Sequence, residues 1–465
     1  MRQMMKSNYL ISTCLAVAAS IGGITTLTGC PDREVSEVLP AQDKVETKKI
    51  PINVNRKVDL LFVIDNSGSM KEEQDSLTAN FSNFINVLNS IPGGLPDVHI
   101  GIVSSDMGTA NGGSAGGCSG NGDNGVMKTG GVVFTGGVNF LSDIADTATP
   151  GMRIKNYTGT LIDVFRQMAS LGTTGCGFEQ HIASSVAALN SPANVGFLRD
   201  DAFLAIVFIA DEDDCSMKMG GALLGNDASL GPLQSFRCSE YGVICDGVDN
   251  MRNPGPRTGC KPRDNSAYET KIADLVAAVK AKKGARADKN IIVANITAPS
   301  EPFSVGRDTV MNIPKMDPAC TYNAPGGMTQ RADAAVRLNA FAASFRNNSQ
   351  TTICKEDLTD ALTNIALLLK EVIGTPCFDA KLAEPIDCTV SDISNFGEAN
   401  ESEKLMSACN AGNTNVPCWR IATDAVKCPK PATGQIIVFE RGGSIPPSGT
   451  VTSVACATQK PPPAP

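Results

Sequence analysis

The sequence predicts an α/β fold: a doubly wound, mostly parallel sheet, carrying cysteine-rich insertions and followed by a small disulfide-rich β module. Three observations lead there. Two apolar, β-branched runs, 59–64 and 202–210, read as strands buried on both faces of a parallel sheet. Segments with apolar residues at helical spacing alternate with such runs from about residue 57 to 374. The cysteines gather in one internal stretch, 215–266, and again in 375–456.

Residues 1–29 begin with Arg2 and Lys6 and run apolar from Leu10 through Ile24, the layout of an export signal. They end in Leu27-Thr28-Gly29-Cys30, which resembles the bacterial lipobox. The resemblance implies that Cys30 is acylated and becomes the first mature residue. No other segment is long and apolar enough to span a bilayer, so lipid is the expected membrane anchor. Pro31, not an acid, follows the cysteine, which tilts the expected location in the bacterial cell envelope toward the outer membrane, on its periplasmic or surface face. Residues 30–56 are polar and lack a hydrophobic period; they read as the lipidated start and a tether.

The tether leads into Asp59-Leu-Leu-Phe-Val-Ile-Asp65-Asn-Ser67-Gly-Ser69-Met70. A strand ends there, and a carboxylate and two hydroxyls follow at alternate positions. Leu77, Phe81, Phe84 and Leu88 then share one helical face. Open α/β sheets bind ligands at the carboxyl ends of their strands. Hard oxygens at that place suit Mg²⁺ or Mn²⁺, not zinc or copper. Hydroxyls on such a turn can also simply cap the helix.

This Asp65-x-Ser67-x-Ser69 turn resembles the metal-ion-dependent adhesion site of the von Willebrand factor A-type (vWA) domain, the fold also used by integrin inserted domains. The family pattern continues in order. Gly172-Thr173-Thr174-Gly175 precedes a helix marked by Ile182, Val186 and Leu189, and Asp211 closes the 202–210 strand. The resemblance implies a metal site of Asp65, Ser67, Ser69, Thr174 and Asp211, with Thr173 as the alternative to Thr174. Ser67 and Ser69 would bind the ion directly, Asp65 and Asp211 mostly through water. It also implies a Rossmann-like sheet of order 3-2-1-4-5-6 with one antiparallel edge. One coordination position stays open in the family, for an acidic side chain of a protein partner. Asp65 and Asp211 are expected at a surface rim. Glu212, Asp213 and Asp214 cannot all point into one site, because adjacent residues diverge; they read as a solvated acidic rim.

The remaining elements follow in order. Residues 98–103 give a second strand, with His99 as a strand residue and not a ligand. Ten glycines between 108 and 131 read as a flexible loop within a Gly-rich insertion of about 107–155; no phosphate-loop Gly-Lys-Ser/Thr is present. Residues 132–134 and 138–141 read as short edge strands, and Leu161, Val164, Phe165 and Met168 mark a helix. The insertion at about 215–266 holds Cys215, Cys238, Cys245 and Cys260 and reads as a stapled surface lobe. Within it Cys245-Asp246-Gly-Val-Asp249-Asn250 resembles half of a calcium-loop repeat without its closing Glu, which makes Ca²⁺ the weaker metal expectation.

Ile272, Leu275, Val276 and Val279 give a helix, 290–296 a strand, and Leu338, Phe341, Ala342 and Phe345 another helix. A short strand at 351–353 and a helix on Leu358, Leu362, Ile365 and Leu369 close the domain, which spans 57–374. Residues 375–456 carry Cys377, Cys388, Cys409, Cys418, Cys428 and Cys456, with strands at 435–439 and 450–454: a stapled β-rich module. Residues 457–465 form a Pro-rich tail.

Of 16 cysteines, Cys14 leaves with the signal and Cys30 takes lipid. Cys118, Cys176, Cys320 and Cys354 complete an even set of disulfide candidates in an exported chain. Cys176 beside the Thr loop and Cys215 just after Asp211 point to bracing of the ligand loops. Zinc is disfavoured: there is no Cys-x-x-Cys pair, and His99 and His181 are the only histidines. A net charge of −8, one Trp and five Tyr argue against nucleic acid as a partner. No Gly-x-Ser-x-Gly elbow or His-Glu-x-x-His motif supplies a catalytic residue. The expected function is metal-dependent protein binding without catalysis, in adhesion or envelope assembly. The alternatives are a metal-dependent hydrolase with Glu212 as base, and a metal-free disulfide-rich scaffold.

Overall fold

The computed structural model describes residues 42–459 apart from 52–55, 92–93, 110–115, 147, 150, 219–221, 325–326, 374–377, 379, 396–399, 413–414, 424–433 and 443–449. The export segment, Cys30, Cys377, Cys428 and residues 460–465 lie outside the described residues.

Seven strands form the main sheet: β1 (Lys57–Ile64), β2 (Asp97–Ser104), β3 (Leu141–Ala145), β4 (Arg153–Lys155), β5 (Phe203–Ile209), β6 (Ile291–Thr297) and β7 (Asn347–Thr352). They lie in the order β7-β6-β5-β1-β2-β3-β4. Strands β1, β2, β5, β6 and β7 are parallel; β3 is antiparallel to β2, and β4 to β3. This is the 3-2-1-4-5-6 order with a three-residue strand added outside the antiparallel one. The expected edge strands at 132–134 and 138–141 are loop; the strand begins at Leu141. Phe134 and Phe140 are buried as loop anchors, and Gly136 and Gly137 hold positive φ between them. Their apolarity marks burial, not extension.

Helices α1 (Lys71–Asn89), α2 (Leu161–Ala169), α3 (His181–Asn190), α4 (Ile272–Lys280), α5 (Val336–Ala343) and α6 (Thr359–Ile373) cover both faces. Alternate side chains of a strand point to opposite faces. Leu60, Phe62 and Ile64 pack with α1, α2 and α6, while Leu61 and Val63 pack with α3, α4 and α5. Phe62 meets Phe81, Phe84 and Phe165 edge to face, with centroids 5.1–6.1 Å apart. Each such buried ring contributes about 1.5–3 kcal/mol, so these four residues clamp α1 and α2 onto the middle of the sheet.

The glycine-rich stretch is more constrained than a free loop. A Cβ on Gly125 would stand 2.4 Å from the Ala188 amide nitrogen, and one on Gly130 would stand 2.1 Å from the Gln167 carbonyl oxygen. The Cys118–Cys176 disulfide staples the same stretch to the Thr loop.

The insertion after β5 is closed by Cys215–Cys238 and Cys245–Cys260. A second insertion, between β6 and α5, had no counterpart in the sequence reading. It comprises strands Phe303–Arg307, Pro314–Asp317, Cys320–Asn323 and Thr329–Ala332. The two insertions make one lobe: Gly255–Arg257 pairs with Phe303–Arg307, and Phe236, Val243 and Met251 share a small core with Phe303, Val305 and Met316. Cys320–Cys354 ties this lobe to the segment after β7.

The C-terminal module is a six-stranded sheet with its own core around Phe378, Val390, Trp419, Ile437 and Val454. Cys388–Cys456 and Cys409–Cys418 staple it. Two expectations change here. Gln42–Pro51, read as tether, is the edge strand of this sheet and pairs antiparallel with Val451–Gln459. The expected tail at 457–459 is the end of that partner strand. A polar edge strand needs only backbone bonding on one side, so it carries no hydrophobic period to read. Among the described residues, no helix is long and apolar enough to cross a membrane.

Candidate metal centre

Strands β1 and β5 are neighbours, with Ile64 opposite Ile209. The Asp65 amide donates to the Ile209 carbonyl at 3.0 Å. Asp65 and Asp211 thus leave the sheet side by side. The chain turns to one face after β1, into α1, and to the other after β5, toward α4. The site lies at the switch point of the sheet, where open α/β folds leave a crevice.

Asp65 Oδ1 accepts from the Ser67 amide at 2.7 Å. That turn leaves the Ser67 and Ser69 hydroxyls 3.2 Å apart, and Ser69 also hydrogen-bonds to Asp211. Asp65, Ser67, Ser69 and Asp211 are therefore brought together as expected. The Thr loop joins them through backbone: Gly175 N–H donates to the Asn66 carbonyl at 2.9 Å. Gln74 of α1 donates from Nε2 to the Asp65 and Gly172 carbonyls, 3.0 Å each, which ties helix, strand end and loop. Thr173 is half-buried and Thr174 exposed, and neither hydroxyl makes a hydrogen bond among the described residues.

Asp65 is 0% and Asp211 4% exposed, so the expected surface rim is instead a buried floor. The N-terminus of α3 and the insertion lobe cover it: His181 Nε2 lies 3.4 Å from Asp65 Oδ2, and Asp333 N–H donates to the Asp211 carbonyl at 2.8 Å. Burial alone lowers the His181 imidazole, but Asp65, Asp214 and Asp213 outweigh it and the net shift is upward.

Asp211 Oδ1 is buried without a hydrogen-bond partner, and Asp65 Oδ2 has only the His181 imidazole at 3.4 Å, beyond good hydrogen-bond geometry. Burial, and then the charges of Asp65 and Glu212, raise the Asp211 carboxyl well above its usual value. Buried carboxylates of this kind are costly unless a cation meets them. Two carboxylates and two or three hydroxyls form an all-oxygen donor set, which fits Mg²⁺ or Mn²⁺. Among the described residues, no group of three His, Cys, Asp or Glu side chains forms a metal cage by itself, so hydroxyls have to complete any shell.

The expected acidic rim after Asp211 is only partly solvated: Glu212 and Asp213 are half-buried and Asp214 is buried. Asp213 accepts the Arg337 and Leu338 amides at 2.9–3.0 Å, capping α5 from another segment. Asp214 is fully buried, accepts the Ile182 amide at the start of α3, and pairs with Arg337 at 3.2 Å. Glu212 turns toward Glu179. Burial, and then Asp333 and Asp65, push Glu212 up to about 7, while Glu179 is raised well above its usual value by burial and then by Glu212.

Sequence reasoning missed Glu179, His181 and also Glu73, whose carboxylate accepts from the Tyr322 hydroxyl at 2.8 Å. Glu179 and His181 lie just before and at the start of α3, where polar residues usually face water. The calcium half-loop has other work: Cys245 is in a disulfide, and Asn250 Oδ1 accepts the Arg252 amide at 2.9 Å in a local turn.

A cavity of about 310 Å³ opens over Ser69, Asp211 and Glu212; the lobe lines the rest of it with Phe236, Lys315, Met316, Arg331 and Asp333 among others.

No family model and no curated protein matches this chain. Among solved structures, it is similar to the conserved hypothetical protein BatB from Bacteroides thetaiotaomicron, at 11% identity and TM-score 0.27, over 68% of this chain and 98% of that one. It is similar to the pilus adhesin RrgA from Streptococcus pneumoniae, at 10% identity and TM-score 0.29, over 89% of this chain and 58% of the adhesin. A third is the manganese-loaded TRAP protein of Plasmodium vivax, at 12% identity and TM-score 0.27, over 87% of this chain and all (100%) of that one. Similarity at this level carries no function with it.

Proposed function

We propose that this chain is a lipid-anchored protein of the bacterial cell envelope that captures a protein partner through a divalent ion, in adhesion or envelope assembly. The observation that carries the reading is the buried, unpartnered Asp211 Oδ1 and the buried Asp65 Oδ2, which only the His181 imidazole faces at 3.4 Å, beside the Ser67–Ser69 hydroxyl pair. The vWA-like order of the motif along the chain supports it. Asp65, Ser67, Ser69 and Asp211 would hold Mg²⁺ or Mn²⁺, with Thr174, or Thr173, added from the loop. Bound there, the ion supplies positive charge and an open position that an acidic side chain of the partner completes. The protein's own part is to fix the donors: Asp65 turns the chain at Ser67, and Gln74 locks the Thr loop to the strand end. Capture of this kind needs no turnover. Six disulfides among the described residues suit an oxidising compartment, and acylation of Cys30 would supply the anchor.

Calorimetry on the detergent-purified chain tests this. Wild type should bind one Mg²⁺ or Mn²⁺, and Ser67→Ala and Asp211→Asn should each bind at least about tenfold more weakly, roughly 1.4 kcal/mol, while circular dichroism shows them folded. Equal affinity in all three proteins would remove the site. Hydrolytic turnover that disappears in Glu212→Gln would replace capture by catalysis.

A further inference from the structure

The cavity over Ser69 and Asp211 has a basic side as well as an acidic one. Lys315 and Arg331, both from the second insertion, line it together with Asp211, Glu212 and Asp333. Arg331 is held in place: its Nη2 donates to the Met316 carbonyl and to Asp333 Oδ1, each at 3.0 Å. Lys315 is exposed and forms no ion pair among the described residues. Phe236 and Met316, each 6% exposed, give the cavity an apolar lining between the charged groups.

An acidic ligand approaching this place meets Asp211, Glu212 and Asp333 on a chain that is already net negative. An ion answers one carboxylate of such a ligand. Two cations on the neighbouring wall can answer a second one and offset the local repulsion. About 310 Å³ is the size of a small-molecule pocket and suits a short segment, not a folded surface.

We propose that the ion site and the Lys315–Arg331 wall form one cavity for an acidic peptide segment with two carboxylates, one for the ion and one for Lys315 and Arg331. This rests on the ion reading above and adds to it the class of partner segment and the residues that select it. The selecting residues come from the insertion lobe, not from the sheet that carries the ion site.

The test uses the detergent-purified full chain with saturating Mn²⁺. The probes are an acetylated, amidated Gly-Asp-Gly peptide and three longer ones in which Asp and Glu are adjacent or separated by one or two glycines. Binding is read by calorimetry. Wild type should bind at least one two-carboxylate peptide about fivefold or more tightly than the one-carboxylate peptide. Lys315→Glu should abolish that preference, weakening the two-carboxylate peptide more than the one-carboxylate peptide, while Mn²⁺ still binds. No preference at any spacing, or a preference that survives Lys315→Glu, would overturn the inference with the ion site intact. Failure of wild type to bind Mn²⁺ would overturn the ion reading, and this inference with it.

Discussion

At Gly175 the missing side chain decides how closely two loops approach. A Cβ there would stand 2.2 Å from Asn66 Oδ1, and the backbone is already bonded to Asn66. Gly175→Ala should push the Thr loop off the strand end. It should cost about 1–3 kcal/mol of stability and weaken Mn²⁺ binding as well. Thermal melts paired with calorimetry would measure both, and an unchanged variant would show that the loop does not need this contact. His99 lies at the other end of the sheet and belongs to stability, not to the site. Its Nδ1 is 2.8 Å from the Phe197 carbonyl oxygen and 3.7 Å from Asp59 Oδ1. Burial, and then Arg199, lower its imidazole to about 4. The folded value lies below the unfolded one of about 6.5, so the unfolded chain binds the extra proton between them. This contribution is complete above pH 6.5 and is lost as pH falls toward 4. Asp59, raised to about 6 chiefly by burial, acts oppositely. Its folded form holds the proton more tightly, so its effect favours the fold as pH falls through 6. His99→Asn should therefore flatten the acid side of the stability profile between pH 7 and 4.5. An unchanged slope in melts across that range would contradict the assignment.

Among the elements, Gln42–Pro51 separates two views of the N-terminal region. It pairs with the strand that carries Cys456, placing Glu46 opposite Cys456 and Lys48 opposite Val454. Deleting residues 31–51 should open that edge of the C-terminal sheet, speed hydrogen exchange of the 451–459 amides, and promote self-association. If exchange there is the same in both proteins, the segment is a tether after all. The sequence QDKVETKKIP carries no local strand pattern: it is mostly polar, and its partner lies at the far end of the chain. The hairpins of the second insertion were equally silent. Pro314–Asp317 buries only Pro314 and Met316, too short a pattern to register as a strand. By contrast β1 and β5 bury nearly every residue, and α1 places Leu77, Phe81, Phe84 and Leu88 on one buried face. Those patterns are set by local sequence, so the strand ends that carry Asp65 and Asp211 could be placed from them, while the grouping of these two with Ser67 and Ser69 rests on the family resemblance. The roles of Asp213, Asp214, Glu179 and His181 depend on which helix ends meet across the fold, and no local period encodes that.

For the whole molecule, the sheet sets where the proposed ion site lies, and the insertions set what borders it. Parallel strands β1 and β5 end together, and the chain departs to opposite faces, which leaves hard oxygens in a crevice. The disulfide-closed lobe then covers Asp211 while the start of α3 covers Asp65, and among the described residues a small opening lined by charges of both signs lies over Ser69 and Asp211. Burial without hydrogen-bond partners is a liability for a carboxylate in a scaffold and an asset in a cation site. On the proposed function, these buried oxygens are there for an ion. The most direct measurement is anomalous diffraction from crystals of the protein grown or soaked with Mn²⁺. One strong peak is expected about 2.0–2.3 Å from the Ser67 and Ser69 hydroxyls, within water-bridging reach of Asp65 and Asp211. A map with no peak there at saturating Mn²⁺, or with the ion bound only elsewhere, would contradict the proposed function.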